Sequence, residues 1–181
     1  DDGVDAVCLI GYHSRAQGRG ILAHTINSFA FARVYFNELE LGEAGIYGAL
    51  AGEFGVPVAM ASGDDVFIEE HRPLFPYATF VQTKRATGQT SGISLSPVQA
   101  CSAIRLGVAG ALAAASPAAP FVLPGPVAVR IQTATPALAD LFCQWPLLQR
   151  LDGVHIAFEA PTVQSAVRMV NCLSAMSATL R

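Results

Sequence analysis

Gly42-Glu43-Ala44-Gly45-Ile46-Tyr47-Gly48-Ala49-Leu50-Ala51-Gly52-Glu53-Phe54-Gly55-Val56-Pro57-Val58-Ala59-Met60-Ala61-Ser62-Gly63-Asp64-Asp65 is the stretch on which the fold class turns. Its first part reads as a helix from Gly42 to Phe54, with Glu43 in the first turn and Gly55 as the C-terminal stop. Val56 to Ala61 is a short apolar run of the buried-strand kind, ended by Ser62-Gly63-Asp64-Asp65, whose acidic pair is suited to cap a following helix and brace the loop. Just upstream, Phe31-Ala32-Arg33-Val34-Tyr35-Phe36 alternates as a strand does, and Asn37 begins the turn after it. Strand, helix and strand therefore follow one another closely.

The alternation continues to the C-terminus. Tyr77 to Thr83 reads as a strand, and Ser96-Pro97-Val98-Gln99 is a capping box with proline at the first helical position, opening a helix that runs to about Ala115. A proline-rich connector leads to a strand at Val127 to Thr133, a helix opened by Thr135-Pro136, a strand at Val154 to Phe158 and a last helix capped by Thr162. The expected fold class is α/β, with helices flanking a mixed or mainly parallel sheet. Residues 1–181 are expected to be the C-terminal part of one such domain, with residues 1–98 as a metal-site region and residues 99–181 as a helix followed by a βαβα region.

Composition narrows the function. The 181 residues carry a net charge of −3 without a basic cluster, so the phosphate-neutralising footprint of a nucleic-acid binder is missing. An apolar fraction of 52% against a charged fraction of 14% suggests that part of the surface is covered by another subunit, which points to a homo-oligomer. The uncharged span from Leu106 to Val129 is broken by Pro117, Pro120, Pro124 and Pro126, which argues against a membrane helix. The four cysteines, Cys8, Cys101, Cys143 and Cys172, are scattered without a Cys-x-x-Cys pair, and read as buried thiols in a reducing, cytoplasmic compartment.

The chemistry-bearing residues gather early. Val4-Asp5-Ala6-Val7-Cys8-Leu9-Ile10 is a strand closed by Gly11, so His13 lies where that strand ends, in the crevice at the carboxyl edge of a sheet. Gly18 and Gly20 make a loop that carries the chain to His24, and Glu43 opens the next helix. Singly, each has an ordinary reading as a backbone-bonded histidine or a first-turn carboxylate. His71, beside Arg72-Pro73, reads as a helix-end surface residue, and His155 lies within a late strand away from the cluster. The chain opens Asp1-Asp2, and its first strand starts almost at once. Such a strand needs neighbours, so an upstream segment, in the same gene or as a separate chain, is expected to complete the sheet and the site.

The ordered string joins these residues. Gly11-Tyr12-His13-Ser14-Arg15-Ala16, then Ala23-His24-Thr25, Asn37, Gly42-Glu43-Ala44-Gly45, Val56-Pro57-Val58, Ser62-Gly63-Asp64-Asp65, Lys84-Arg85-Ala86-Thr87-Gly88 and Leu95-Ser96-Pro97 closely resembles the D-aminopeptidase family, metallopeptidase family M55. The likeness is clear from about Val4 to about Val98 and weaker beyond. It implies a pair of zinc ions held by carboxylates and histidines, with His13 and Glu43 as metal ligands and His24 as the catalytic histidine. Zinc would polarise the scissile carbonyl and lower the pKa of its water toward ~7 while an imidazole moves the proton. The implied substrate is a short peptide with an N-terminal D-amino acid, and the implied assembly is a ring-like homo-oligomer. Substrate contacts are expected at Asn37, which equally suits a turn, and at Lys84, which could hold a carboxylate or an oxyanion. Family members also carry an Asp-x-Glu motif on their first strand and a further histidine, which this chain lacks; two ligands do not close a catalytic zinc site. The alternative is a noncatalytic relative acting as a peptide-binding or assembly subunit. A metal-free hydrolase pairing His24 with Ser14 or Ser28 is a third reading, weakened by the lack of a Gly-x-Ser-x-Gly elbow.

Overall fold

The computed structural model describes residues 3–114 and 119–181. Its strands form two sheets. Sheet A has the order β1-β4-β5-β6, built from β1 (Val7–Leu9), β4 (Val58–Asp64), β5 (Thr79–Gly88) and β6 (Ser91–Ser94). The first three are parallel and β6 returns antiparallel as the second arm of a hairpin. Sheet B has the order β3-β2-β7-β9-β8, antiparallel at every pairing, from β2 (Phe31–Phe36), β3 (Leu39–Glu40), β7 (Val127–Thr133), β8 (Gln149–Arg150) and β9 (His155–Ala160). Five helices flank them: α1 (Glu43–Glu53), α2 (Asp65–His71), α3 (Pro97–Ala113), α4 (Pro136–Phe142) and α5 (Val163–Met176).

The α/β class is as expected, but the strands divide between two sheets. Helix–strand alternation sets the order of elements along the chain, and leaves open which strand pairs with which. Thus β2 leaves the parallel layer and pairs in antiparallel register with β7, Phe36 opposite Val129. The acidic turn also falls differently, because β4 runs on through Ser62 and Gly63 to Asp64 and is buried along its whole length.

Helix α1 explains the architecture. A helix hydrophobic on every side is buried on every side, and α1 has no exposed residue. Ala44 belongs to the sheet A core with Leu9, Val58, Ala61, Phe67 and Phe75, whereas Ile46 and Ala49 belong to the sheet B core with Phe36, Ile131, Phe142 and Ile156. Its small residues allow this. A Cβ at Gly48 would strike the Phe75 ring, and one at Gly52 would overlap the Phe121 carbonyl.

Other readings need correction. The expected helix end at Ala115, and Pro117 of the connector, lie outside the described residues, and α3 runs to Ala113 with its capping box formed at Ser96 and Gln99. Cys101 and Cys172 are exposed and Cys8 and Cys143 only partly buried, so the thiols are free but not core residues. His71 is fully buried, because α2 packs on β4 and β5 and the imidazole lies between the Phe67 and Phe75 rings, with centroids 4.4 and 6.1 Å away. Burial pulls its pKa from the ordinary 6.5 to about 4, so the imidazole is neutral at pH 7 and its 3.6 Å approach to Glu70 is not an ion pair. No helix among the described residues is long and apolar enough to cross a membrane.

Candidate active site

The site is built at the carboxyl ends of the parallel strands, where α/β sheets leave a crevice. Past β1 the chain turns at Gly11, with a φ of 76° that suits glycine. The Gly11 and Tyr12 N–H groups both donate to the Ser62 carbonyl of β4, at 3.1 and 3.0 Å. His13 thereby clears the sheet edge, as expected from the strand-closing glycine.

The loop from Ser14 to Ala30 then folds back on itself. Ser14 accepts the His24 N–H at 3.1 Å, and Thr25 Oγ1 accepts the Ala16 N–H at 3.0 Å. This closure sets His24 beside His13, with ring centroids 5.2 Å apart and planes inclined at 46°. His13 Nδ1 lies 2.7 Å from the Ile21 carbonyl and His24 Nδ1 lies 2.8 Å from the Leu22 carbonyl. A carbonyl only accepts, so each Nδ1 is the donor, and in a neutral ring the lone pair then lies on Nε2, the form in which imidazole ligates a metal or takes up a proton.

Glu43, first residue of α1, completes the group. The backbone of Arg15 packs against Gly42, where a Cβ would come 3.1 Å from Arg15 Cα, and this contact docks the helix N-terminus on the loop. Glu43 Oε2 lies 3.3 Å from His24 Nε2. With Nδ1 donating to Leu22, Nε2 is the nitrogen that faces the carboxylate, and a proton shared between them joins the two. The donor chemistry suits a metal such as zinc, which takes imidazole nitrogen and carboxylate oxygen. Yet among the described residues no group of three or more His, Cys, Asp or Glu side chains is arranged to hold a metal ion unaided.

Two tyrosines flank Glu43. Burial first, and the Glu43 charge second, push the Tyr12 and Tyr47 hydroxyls above their ordinary range, so both are neutral donors. They were not singled out from sequence, although Tyr12 precedes His13 and Tyr47 stands one helical turn from Glu43.

The other residues that the sequence brought forward have their own surroundings. Asn37, at a φ of 48° in the β2–β3 turn, donates to the Pro124 carbonyl at 2.7 Å and accepts the Ala128 N–H at 2.8 Å, which is turn chemistry. Lys84 is a half-buried residue of β5, opposite Ser94 and in register with Asp64. Among the described residues, neither side chain is hydrogen-bonded or ion-paired to the imidazole–carboxylate group. Ser14 Oγ is buried without a hydrogen-bond partner, and therefore makes none to His24. Asp64 does what the sequence suggested for the acidic pair, capping α2 at the Phe67 N–H (2.8 Å) and bracing the loop at Ile21, while Asp65 braces Ala86 at 2.7 Å.

Comparison with known proteins adds three findings. A family model described as D-aminopeptidase, peptidase family M55, matches residues 1–172. The D-aminopeptidase of Bacillus subtilis (strain 168) is 33% identical over 100 residues, covering 55% of this chain and 36% of that protein. In fold, the chain is similar to the Zn-dependent D-aminopeptidase DppA from Bacillus subtilis, described as a self-compartmentalizing protease. The TM-score is 0.91 at 24% sequence identity, over 96% of this chain and 64% of that one. The chain thus spans only part of the length of both relatives.

Proposed function

The chain belongs to the D-aminopeptidase family of peptidases, M55, and on that footing we propose that it is a zinc-dependent aminopeptidase acting on short peptides with an N-terminal D-amino acid. The observation that carries the reading is the 3.3 Å approach of His24 Nε2 to the Glu43 carboxylate with the His13 ring alongside. His13 and Glu43 would hold metal, two zinc ions being the number per site that the family likeness suggests, with further donors from elsewhere in the assembled protein. Bound zinc supplies Lewis-acid polarisation of the scissile carbonyl. His24 is the proton carrier: its Nδ1–H is fixed on the Leu22 carbonyl, so Nε2 takes the proton from attacking water and returns it to the leaving amine. Substrate contacts are assigned to Lys84, at the peptide carboxylate, and to Asn37, whose side chain also serves its turn through Pro124 and Ala128.

The second reading, a noncatalytic subunit that binds peptide or aids assembly, is favoured by the donor set of the described residues, among which no three His, Cys, Asp or Glu side chains are grouped to hold a metal. Metal analysis with a D-Ala-D-Ala cleavage assay separates the two. About two zinc per chain with cleavage supports the enzyme, and a metal-free, inert protein supports the subunit. We assign the protein to the cytoplasm, in keeping with its four free thiols, and to a homo-oligomer. The outward side of α3, with Val98, Leu106 and Leu112 all largely exposed, supports the assembly. Sedimentation is expected to give a mass several times that of one chain, and a monomer at working concentration would refute it.

A further inference from the structure

The loop bearing both imidazoles is held against its own backbone preference. Gln17, Leu22 and Ile26 sit at φ of 65°, 53° and 60°, a region that side-chain-bearing residues avoid, the β-branched isoleucine most of all. Such a conformation lasts only where the surroundings over-determine it. Two carboxylates do so, one from each end of α2. Glu70 accepts the Arg15 N–H with both oxygens at 3.0 and 3.2 Å. Asp64, only 2% exposed, accepts the Ile21 N–H with Oδ2 at 2.6 Å while Oδ1 caps the helix.

The Asp64 contact leads directly to the site, because the residue it grips by the N–H is the one whose carbonyl receives the His13 Nδ1–H at 2.7 Å. The next amide also is fixed, Leu22 N–H donating to the Gln89 carbonyl at 2.6 Å, so the peptide unit that faces His13 is tied on both sides. Gly20 makes the approach possible, since a Cβ there would stand 2.3 Å from Ser14 Oγ and 2.9 Å from Asp64 Oδ2. We propose that Asp64 is a positioning residue for His13, fixing its tautomer and ring direction through Ile21. The inference rests on the peptidase reading for its consequence in metal binding and turnover, but not for the state of the imidazole itself.

The test is long-range proton–nitrogen correlation NMR on the metal-free protein. In the wild type, His13 is expected in the Nδ1–H form. Asp64→Asn keeps the volume, but its one oxygen can serve only one of the two N–H groups, and Gly20→Ala, made in a Ser14→Ala background that removes the nearer clash with Ser14 Oγ, crowds Asp64 Oδ2 at 2.9 Å and Oδ1 at 3.2 Å and so pushes the loop off the carboxylate. Both variants are expected to turn His13 into a mixture of tautomers, whereas Asp65→Asn, which loosens only the Ala86 brace, leaves it unchanged. In zinc titrations the first two should bind about 10- to 100-fold more weakly, with kcat falling and KM held. A His13 tautomer unchanged in either folded variant overturns the proposal, and Gly20→Ala carries the test should Asp64→Asn not fold. If the wild type binds no zinc and cleaves no D-aminoacyl peptide, the functional reading fails while the NMR result still decides the role of Asp64.

Discussion

His13, His24 and Glu43 make separable contacts, and their substitutions should separate accordingly. His13→Ala and Glu43→Ala remove a donor each, and both zinc content and cleavage are expected to fall together. His24→Ala is expected to keep its zinc while cleavage drops by about 10²- to 10⁴-fold, the usual worth of a positioned proton carrier. Loss of metal from the last variant would instead make His24 a ligand. His71 gives a pH effect of definite sign. Its folded pKa of about 4 lies below the ordinary 6.5, so the unfolded chain takes up a proton that the folded chain refuses in that window. Stability is then full above pH ~6.5 and declines as pH falls toward 4, by up to about 3 kcal/mol. Glu70, raised by burial against the opposing pull of Arg15, works in the opposite sense. Urea titrations at successive pH values should therefore show a smaller acid-side decline in His71→Phe than in the wild type, and equal declines would refute the assignment. The sequence reading took His71 for a surface residue from its neighbours Arg72-Pro73, although Phe67 and Phe75, each four residues away, are the rings that enclose it.

Helix α1 invites a substitution that propensity alone would recommend. Gly52→Ala should gain about 1 kcal/mol of helix preference, but the new Cβ meets the Phe121 carbonyl, a backbone group that cannot swing away. A net loss of about 1–3 kcal/mol is expected on denaturant unfolding, as for other overpacked sites. Strand β7 was legible to the residue because its alternation is clean, Val127, Val129, Ile131 and Thr133 facing in. The caps of α3, α4 and α5 were legible because Ser96, Thr135 and Thr162 act within three residues of themselves. The β5–β6 hairpin was not. β6 is exposed throughout and carries no hydrophobic alternation to betray it, and the two-residue strands β3 and β8 are too short to leave a pattern. The histidines and Glu43 were picked out by an ordered motif rather than by spacing, since the loop that joins them is irregular. The bond from Asp64 through Ile21 to His13 is a tertiary fact with no local trace.

Pairing of the two sheets was beyond reach for the same reason, as it depends on contacts between distant segments. One such contact ties the layers. Glu53, at the end of α1, accepts the Val163 and Gln164 N–H groups at 2.8 and 2.9 Å, anchoring the start of α5. Glu53→Ala should cost about 1–3 kcal/mol through the loss of these charge-assisted bonds, read as a lower urea midpoint with an unchanged slope. A changed slope would mean that the tie is needed for compactness itself.

Glu43 is mounted on a helix that both cores share, so neither half of the molecule can melt and leave it in place. Heating should give a single calorimetric transition, and a cation captured at that carboxylate should raise the melting temperature of the entire domain rather than that of one layer.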